Sequence, residues 1–319
     1  MLRALILGVT GQDGQYLADF LLRKKYSVLG ISRSGRPFQT NPLSLNRPDF
    51  KSIDIRNALE LEHILNEFQP HEIYNLAGES SVSKSFQEPS RTIETNVVGF
   101  VNLLTLVKQN LKLKTVRIFQ ASSAEMFGSS MNQLNEFSPF NPVSPYSASK
   151  LAAHKISDLY RQNYGIWISC GILFNHESEL RPKNFVFQKI ITSAIAISEG
   201  KLDKLTLGNI DILRDWGYSK DYVEAIWMIL QADSPDNFVV ATGKIHSLQE
   251  IIRLTFSRLK IDASIEDLVK FDDSLSRPNE VLRTWGDPKK IENTLGWRAQ
   301  TSFEDLVQKL ITFQLKQKH

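Results

Sequence analysis

The chain has almost no cysteine: a single thiol, Cys170, in 319 residues. One cysteine cannot close an internal disulfide, so the fold rests on a packed core and the chain reads as a protein of a reducing compartment. Cys170 lies in the apolar run 166–174, the setting of a core thiol rather than a nucleophile. Long hydrophobic runs are also missing, and none reaches the roughly 20 residues that a bilayer-spanning helix needs. The first residues pass straight into a strand pattern, which leaves no room for a signal segment. A cytoplasmic location is expected. Charge of one sign is scarce as well. The 38 Lys and Arg against 35 Asp and Glu leave a net charge of +3, too little to point to a membrane surface or nucleic acid. The aromatic and basic residues form no stripe suited to nucleic acid. The 6 histidines are scattered without metal-ligand spacing, so no catalytic metal is expected. Internal repeats and low-complexity tracts are absent.

What is present is an ordinary globular composition, 42% hydrophobic and 23% charged, in a length that suits about two domains or one large one. The chain is organised around its first turn. Residues 4–7, Ala-Leu-Ile-Leu, read as a buried parallel strand, and 16–22 read as an amphipathic helix. Between them Gly8, Gly11 and Gly14 recur at three-residue spacing. The first glycine permits the tight turn, the second lets backbone approach a pyrophosphate, and the third lets helix pack on strand. Phosphates would then meet free N–H groups at the helix N-terminus. Strand 27–32 closes the unit and is followed by Arg33 and Arg36, where an acidic residue would have accepted bonds from ribose hydroxyls. Two arginines there suit a 2′-phosphate and favour NADP.

Residues 37–48 are a polar loop, and 50–53 a third strand ending at Asp54. That carboxylate could reach an adenine amino group, or cap the helix that begins near Ala58. Helix 59–68, strand 72–76, a small-residue turn 77–81, a long helix 91–109 and strand 116–119 follow. Val97, Val98, Val101 and Leu104 mark the apolar face of the long helix. The alternation predicts an α/β fold with a doubly wound parallel (Rossmann) sheet. Past Phe174 the elements shorten and prolines recur. The expected division is a dinucleotide-binding domain over 1–174, with a return near 219–243, and a smaller interleaved substrate-binding domain over 175–218 and 244–319. Trp216 and Trp227 read as core.

The chemistry gathers after the fifth strand. Ser122-Ser123-Ala124-Glu125 ends it, and Ser144-Pro145-Tyr146 with Lys150 opens a helix running to Tyr164. Tyr146 and Lys150 are four apart and share one helix face. A lysine beside a phenol is expected to stabilise the phenolate and lower its pKa, so that the tyrosine can take a proton from a sugar hydroxyl.

With these stretches the chain resembles the extended short-chain dehydrogenase/reductases, and more narrowly the GDP-mannose 4,6-dehydratase family. The narrower resemblance is carried by Phe174-Asn175-His176-Glu177-Ser178, Arg214-Asp215-Trp216-Gly217, residues 220–225 and Arg277-Pro278-Asn279-Glu280. It implies a redox-neutral dehydration of GDP-mannose, or of a GDP-manno-heptose, with bound NADP lending and recovering a hydride. Tyr146 would be the base at C4, assisted by Ser123 and Lys150, and Glu125 the base at C5. Ala124 stands where many relatives are polar, which leaves proton donation to the leaving hydroxyl with Glu125. The cofactor set implied is Gly8, Thr10, Gly11, Gln12, Asp13, Gly14, Arg33, Arg36, Asp54, Ile55, Leu76, Ala77, Tyr146, Lys150 and His176. The nucleotide-sugar set is Ser81, Ser85, Asn175, Lys189, Arg214, Arg277 and Glu280. A pyrophosphate suits the arginines and the lysine on physical grounds, whereas Asn175 and Glu280 rest on resemblance. A homodimer or homotetramer is implied. Glu125 also suits an epimerase or reductase of a GDP-linked keto-sugar, and that alternative stays open.

Overall fold

The structure, a computed structural model, describes residues 1–33, 48–272, 275 and 279–317. Arg36, Arg277 and the polar loop after Pro37 lie outside the described residues. The first six strands are β1 (Arg3–Leu7), β2 (Ser27–Ser32), β3 (Asp49–Ser52), β4 (Glu72–Asn75), β5 (Arg117–Ser123) and β6 (Trp167–Leu173). All pair in parallel, with Leu5 opposite Leu29 on one side and Ile73 on the other. Such strands are covered on both faces, which is why they read as unbroken apolar runs. The chain builds outward from β1 to β3, then returns to add β4, β5 and β6 on the other side. The loops leaving β1 and β4 therefore diverge, and the crevice between them is where an open α/β sheet takes a ligand.

Helix α1 (Gln12–Arg23) follows β1 and packs on one face, α2 (Ala58–Phe68) follows β3 and packs on the other, and α3 (Val82–Gln87) follows β4. The helix expected over 91–109 is broken into three pieces. These are α4 (Pro89–Ile93), a π turn (Glu94–Val98) and α5 (Gly99–Gln109). The extra residue in the π turn shifts the phase of the buried face. Val98 is therefore 46% exposed, while Asn96, Gly99, Phe100 and Leu103 point inward. Gly99 is needed there, since a Cβ would stand 2.7 Å from Ile55 Cγ2. Asp54 caps nothing; Asn57 accepts the bond from Glu60 N–H and caps α2.

Helix α6 (Pro145–Tyr164) starts at Ser144, whose side chain accepts from Ser147 N–H while the Ser147 side chain accepts from Ser144 N–H, a capping box with proline in the first turn. Cys170 is fully buried in β6, and burial pushes its thiol up to about 11.

Beyond β6 come β7 (Asn175–Glu177), α7 (Val186–Ser198), β8 (Leu205–Leu207), β9 (Leu213–Arg214), β10 (Trp216–Tyr218) and α8 (Ser219–Gln231). Strand β11 (Asn237–Val240) joins the main sheet beside β6, making seven strands among the described residues in the order β11-β6-β5-β4-β1-β2-β3. Helices α1 and α8 share the core on one face, through Leu17, Leu21, Ile226 and Ile229. Helices α2 and α5 share that on the other, through Leu61, Ile64, Phe100 and Leu103. The doubly wound parallel sheet is borne out. A further core joins Phe187, Ile190, Trp216, Ile251 and Leu306, drawn from α7, β10, α9 (Leu248–Arg258) and the last helix, Phe303–Lys316. Trp227 packs against the main core and donates to Tyr26 Oη. No helix among the described residues is long and apolar enough to cross a membrane.

Candidate active site

The glycine turn forms the floor of a groove of about 650 Å³ at the switch point. Gly8 has φ +84°, and a Cβ there would meet Ala77 N at 2.7 Å. A Cβ on Gly14 would stand 2.5 Å from Gly8 O. Gly11 precedes α1 with no side chain capping the helix, so its first-turn N–H groups face the groove as an anion site. The backbone cradle and open helix end fit a dinucleotide pyrophosphate. Thr10, Gln12, Asp13, Arg33, Ile55, Leu76 and Ala77 also line the groove. Asp54 does not. Its carboxylate is held by Arg56, which donates from Nε at 3.1 Å and from Nη2 at 2.8 Å, and Arg56 is the neighbour that lines the groove.

Asp13 lies in the first turn of α1 and ties it to β7. Its carboxylate accepts from Ser219 Oγ at 2.6 Å and faces His176 Nε2 at 2.9 Å. His176 Nδ1 lies 2.7 Å from Phe174 O. A carbonyl only accepts, and the carboxylate beyond the other nitrogen is the second acceptor, so both nitrogens carry protons and the ring is a cation. Burial opposes the charge on both partners. The His176 charge and the bonds from His176 and Ser219 nevertheless hold Asp13 down at about 2, and Asp13 raises His176 above its ordinary 6.5. The Asp13 contribution is present above 3.8 and lost as pH falls through about 2. The His176 contribution is complete below 6.5 and lost as pH climbs through the raised folded-state value. The melting-temperature gap between the unmutated chain and His176→Gln should therefore narrow as pH rises from below 6.5 through the raised folded-state value. A gap independent of pH would show that the ring is neutral.

A second cavity, of about 460 Å³, opens off the groove and shares Asp13, Leu76, Ser80 and Arg181 with it. Ser123, Ala124, Glu125, Tyr146 and Lys150 form one wall. The side chain of Ser123 accepts from Glu125 N–H at 3.2 Å. Tyr146 is 8% exposed. Contrary to the expected lowering, burial pushes its phenol up to about 12; the Ser123 hydrogen bond opposes this and the Glu125 charge adds to it. Lys150 Nζ donates to Ala121 O at 3.0 Å and stands 5.9 Å from the centre of the tyrosine ring. Burial draws its ammonium down to about 8 against the pull of Asp13. Desolvation penalises both charged forms and outweighs the attraction expected from spacing alone.

Asn175, Lys189, Arg214, Glu280 and Ser81 also line the cavity. Arg214 is 3% exposed. Its guanidinium donates to Leu213 O and Val281 O and lies 3.6 Å from Glu280 Oε1. Ser85 is different. It is fully buried, and its hydroxyl accepts from Tyr146 N–H at 3.1 Å and donates to Val82 O. It positions the tyrosine from behind and does not reach the cavity. Trp216 is core, as expected, yet it also lines the cavity.

A family model for GDP-mannose 4,6 dehydratase matches residues 5–310. The chain belongs to the GDP-mannose 4,6-dehydratase family. It is 41% identical to GDP-mannose 4,6 dehydratase 2 of Arabidopsis thaliana, over 97% of this chain and 85% of that protein. It is 39% identical to GDP-mannose 4,6 dehydratase of Homo sapiens, over 97% and 90%. The fold matches a dTDP-glucose 4,6-dehydratase of Streptomyces venezuelae solved with NAD, at TM-score 0.88 and 24% identity, covering 99% of this chain and 98% of that one.

Within this GDP-mannose 4,6-dehydratase family member, three site residues escaped sequence reasoning. Asn96, turned inward by the π turn, accepts from Glu79 N–H at 2.8 Å and donates to Ser149 Oγ at 2.9 Å. It thereby ties the 77–81 turn to the helix carrying Lys150. Arg181 lies where groove and cavity meet. Asp215, fully buried, accepts from Thr242 N and Oγ1 and from Gly243 N at 2.7–2.9 Å, and from Gly286 N at 3.4 Å. It anchors the strand that carries Arg214, and burial pushes its carboxyl up to about 6 against those bonds. Gly99 within a helical pattern is the local signal for the first and the 214–217 stretch the signal for the third, whereas nothing local points to Arg181.

Proposed function

We propose that the chain dehydrates GDP-mannose to GDP-4-keto-6-deoxymannose using bound NADP. The observation that carries this reading is the gathering of Ser123, Glu125, Tyr146 and Lys150 on one wall, beside a dinucleotide-shaped groove and a cavity holding Lys189 and Arg214. Residues 1–174 with 219–243 would hold the dinucleotide, and the remainder the nucleotide sugar. Arg33, at the end of β2 and lining the groove, supports NADP, since a guanidinium suits a 2′-phosphate and a carboxylate does not. The chemistry that the dinucleotide supplies when bound is hydride removal at C4 and its return at C6.

Tyr146 takes the C4 hydroxyl proton, with Ser123 orienting that hydroxyl and Lys150 holding positive charge behind the phenolate. The ketone so formed acidifies the C5 hydrogen. Glu125 removes it as a proton and passes it to the departing C6 hydroxyl, which leaves as water; the proton that Tyr146 took balances the one that solvent, through Glu125, restores at C5 when C6 is reduced. Ala124 is packed with Phe127, Ile172 and Phe174 and offers no proton there, so Glu125 serves both transfers. Lys189 and Arg214 bind the diphosphate, and Asn175, Ser81 and Glu280 orient the rest of the substrate. The enzyme would work in the cytoplasm as a homodimer or homotetramer.

The test is incubation of purified chain with GDP-mannose and no added cofactor, followed by mass spectrometry of the nucleotide sugar and of the dinucleotide released on denaturation. Loss of one water, with NADP released, is expected. An unchanged sugar even after NADP⁺ is added would overturn the dehydratase reading, and release of NAD alone would overturn the cofactor.

A further inference from the structure

The turn that delivers Arg181 to the join of groove and cavity is built around Glu179. Ser178 and Arg181 close it through a bond from Arg181 N–H to Ser178 O at 3.1 Å. Ser178 is itself fixed, donating from Oγ to Gln12 Oε1 at 2.7 Å. Leu180 packs against the main core. Between these fixed points, Glu179 is held by two phenols. Tyr16, on α1, donates to Glu179 Oε2 at 2.6 Å, and Tyr218, on β10, donates to Oε1 at 2.9 Å. Both rings are buried, at 5% and 6% exposure. Burial beside the carboxylate holds both phenols well above their ordinary value, so they stay donors. Lys220 Nζ lies over the two rings, at 5.1 and 5.6 Å. The clasp therefore joins the helix of the glycine turn, the strand after Arg214 and the turn between them.

Arg181 makes two contacts of its own: its guanidinium stacks on Phe185 at 3.8 Å, and its Nε pairs with Glu177 Oε2 at 3.6 Å. Both depend on where the turn sets its backbone. We propose that Glu179 is a positioning residue: clasped by Tyr16 and Tyr218, it aims Arg181 at the join between the dinucleotide groove and the sugar cavity. This rests on the dinucleotide reading above and adds the residue that sets one of its contacts.

The test is a double-mutant cycle read by NADPH fluorescence on the full chain stripped of cofactor. Glu179→Ala should weaken NADPH binding about tenfold when Arg181 is present and less than twofold in the Arg181→Ala background, the signature of residues acting as one unit. Glu179→Gln, which keeps an acceptor for the phenols, should fall in between. Should the alanine variant fail to fold, Glu179→Gln and Tyr218→Phe carry the same cycle. Equal weakening in both backgrounds would overturn the proposal. So would a fall in melting temperature with NADPH affinity unchanged. No nucleotide sugar enters the measurement, so a failed GDP-mannose test leaves it decisive. An unmutated chain that bound neither NADPH nor NADH would sink the dinucleotide reading and this inference together, whereas binding with an additive cycle sinks this inference alone.

Discussion

Tyr146→Phe is expected to lose turnover of GDP-mannose by about 10²–10⁴-fold, the range over which a positioned acid or base contributes, while still binding the dinucleotide. The ring is buried and its backbone N–H is held by Ser85 Oγ, so phenylalanine keeps the packing and loses only the hydroxyl. What disappears is the group that takes the C4 proton, and Ser123, held against Glu125 N–H, cannot replace it. Burial raises this phenol to about 12, so a phenolate here depends on positive charge brought by Lys150 and the bound nicotinamide. The measurement is single-turnover formation of the dehydrated sugar alongside a dinucleotide titration. Turnover within tenfold of the unmutated chain would remove Tyr146 from the base role.

The second large effect is Glu125→Gln. The two side chains have nearly the same shape, and the position is fixed by the bond from residue 125 N–H to Ser123 Oγ at 3.2 Å, so the amide should occupy the same place. It cannot take a proton from C5 or give one at C6. Oxidation at C4 is then expected to proceed and elimination to slow by about 10²–10⁴-fold. Reduced nicotinamide would accumulate on the enzyme, visible as its near-ultraviolet absorbance, with the sugar held as the 4-ketone. The two variants differ in the step at which they stop. Tyr146→Phe should show no reduced nicotinamide, and Glu125→Gln should show about one per site. Full dehydration by Glu125→Gln would sink its assignment as the C5 base, and with it the idea that one carboxylate covers the missing polar group at Ala124.

Lys150 shows how spacing and environment differ as sources of information. Four residues from Tyr146 on one helix, it was expected beside the phenol, and the shared face is indeed there. The spacing carried nothing about Ala121 O, which takes the Nζ hydrogen bond, because that carbonyl comes from a strand 29 residues away. Asp54 is a similar case. Its position at the strand end was legible, but Arg56 folds back over it and takes the groove instead. Ser85 kept its place near the site and changed its job, since only packing reveals that its hydroxyl is spent on Tyr146 N–H.

The sequence by itself determined the elements whose causes are local. Buried apolar runs alternating with amphipathic segments dictated the parallel sheet. The glycine spacing dictated a turn that no Cβ could occupy, and the Ser144-Pro145 cap started the helix that carries Tyr146 and Lys150. Tertiary structure alone decided what depends on partners far apart in the chain. The π turn that brings Asn96 inward, the Asp13–His176 ion pair and the Glu179 clasp each join groups separated by 17 to 202 residues. Neither propensity nor periodicity reports such contacts, because the free energy that forms them comes from burial and from satisfying buried polar groups once the sheet has already assembled.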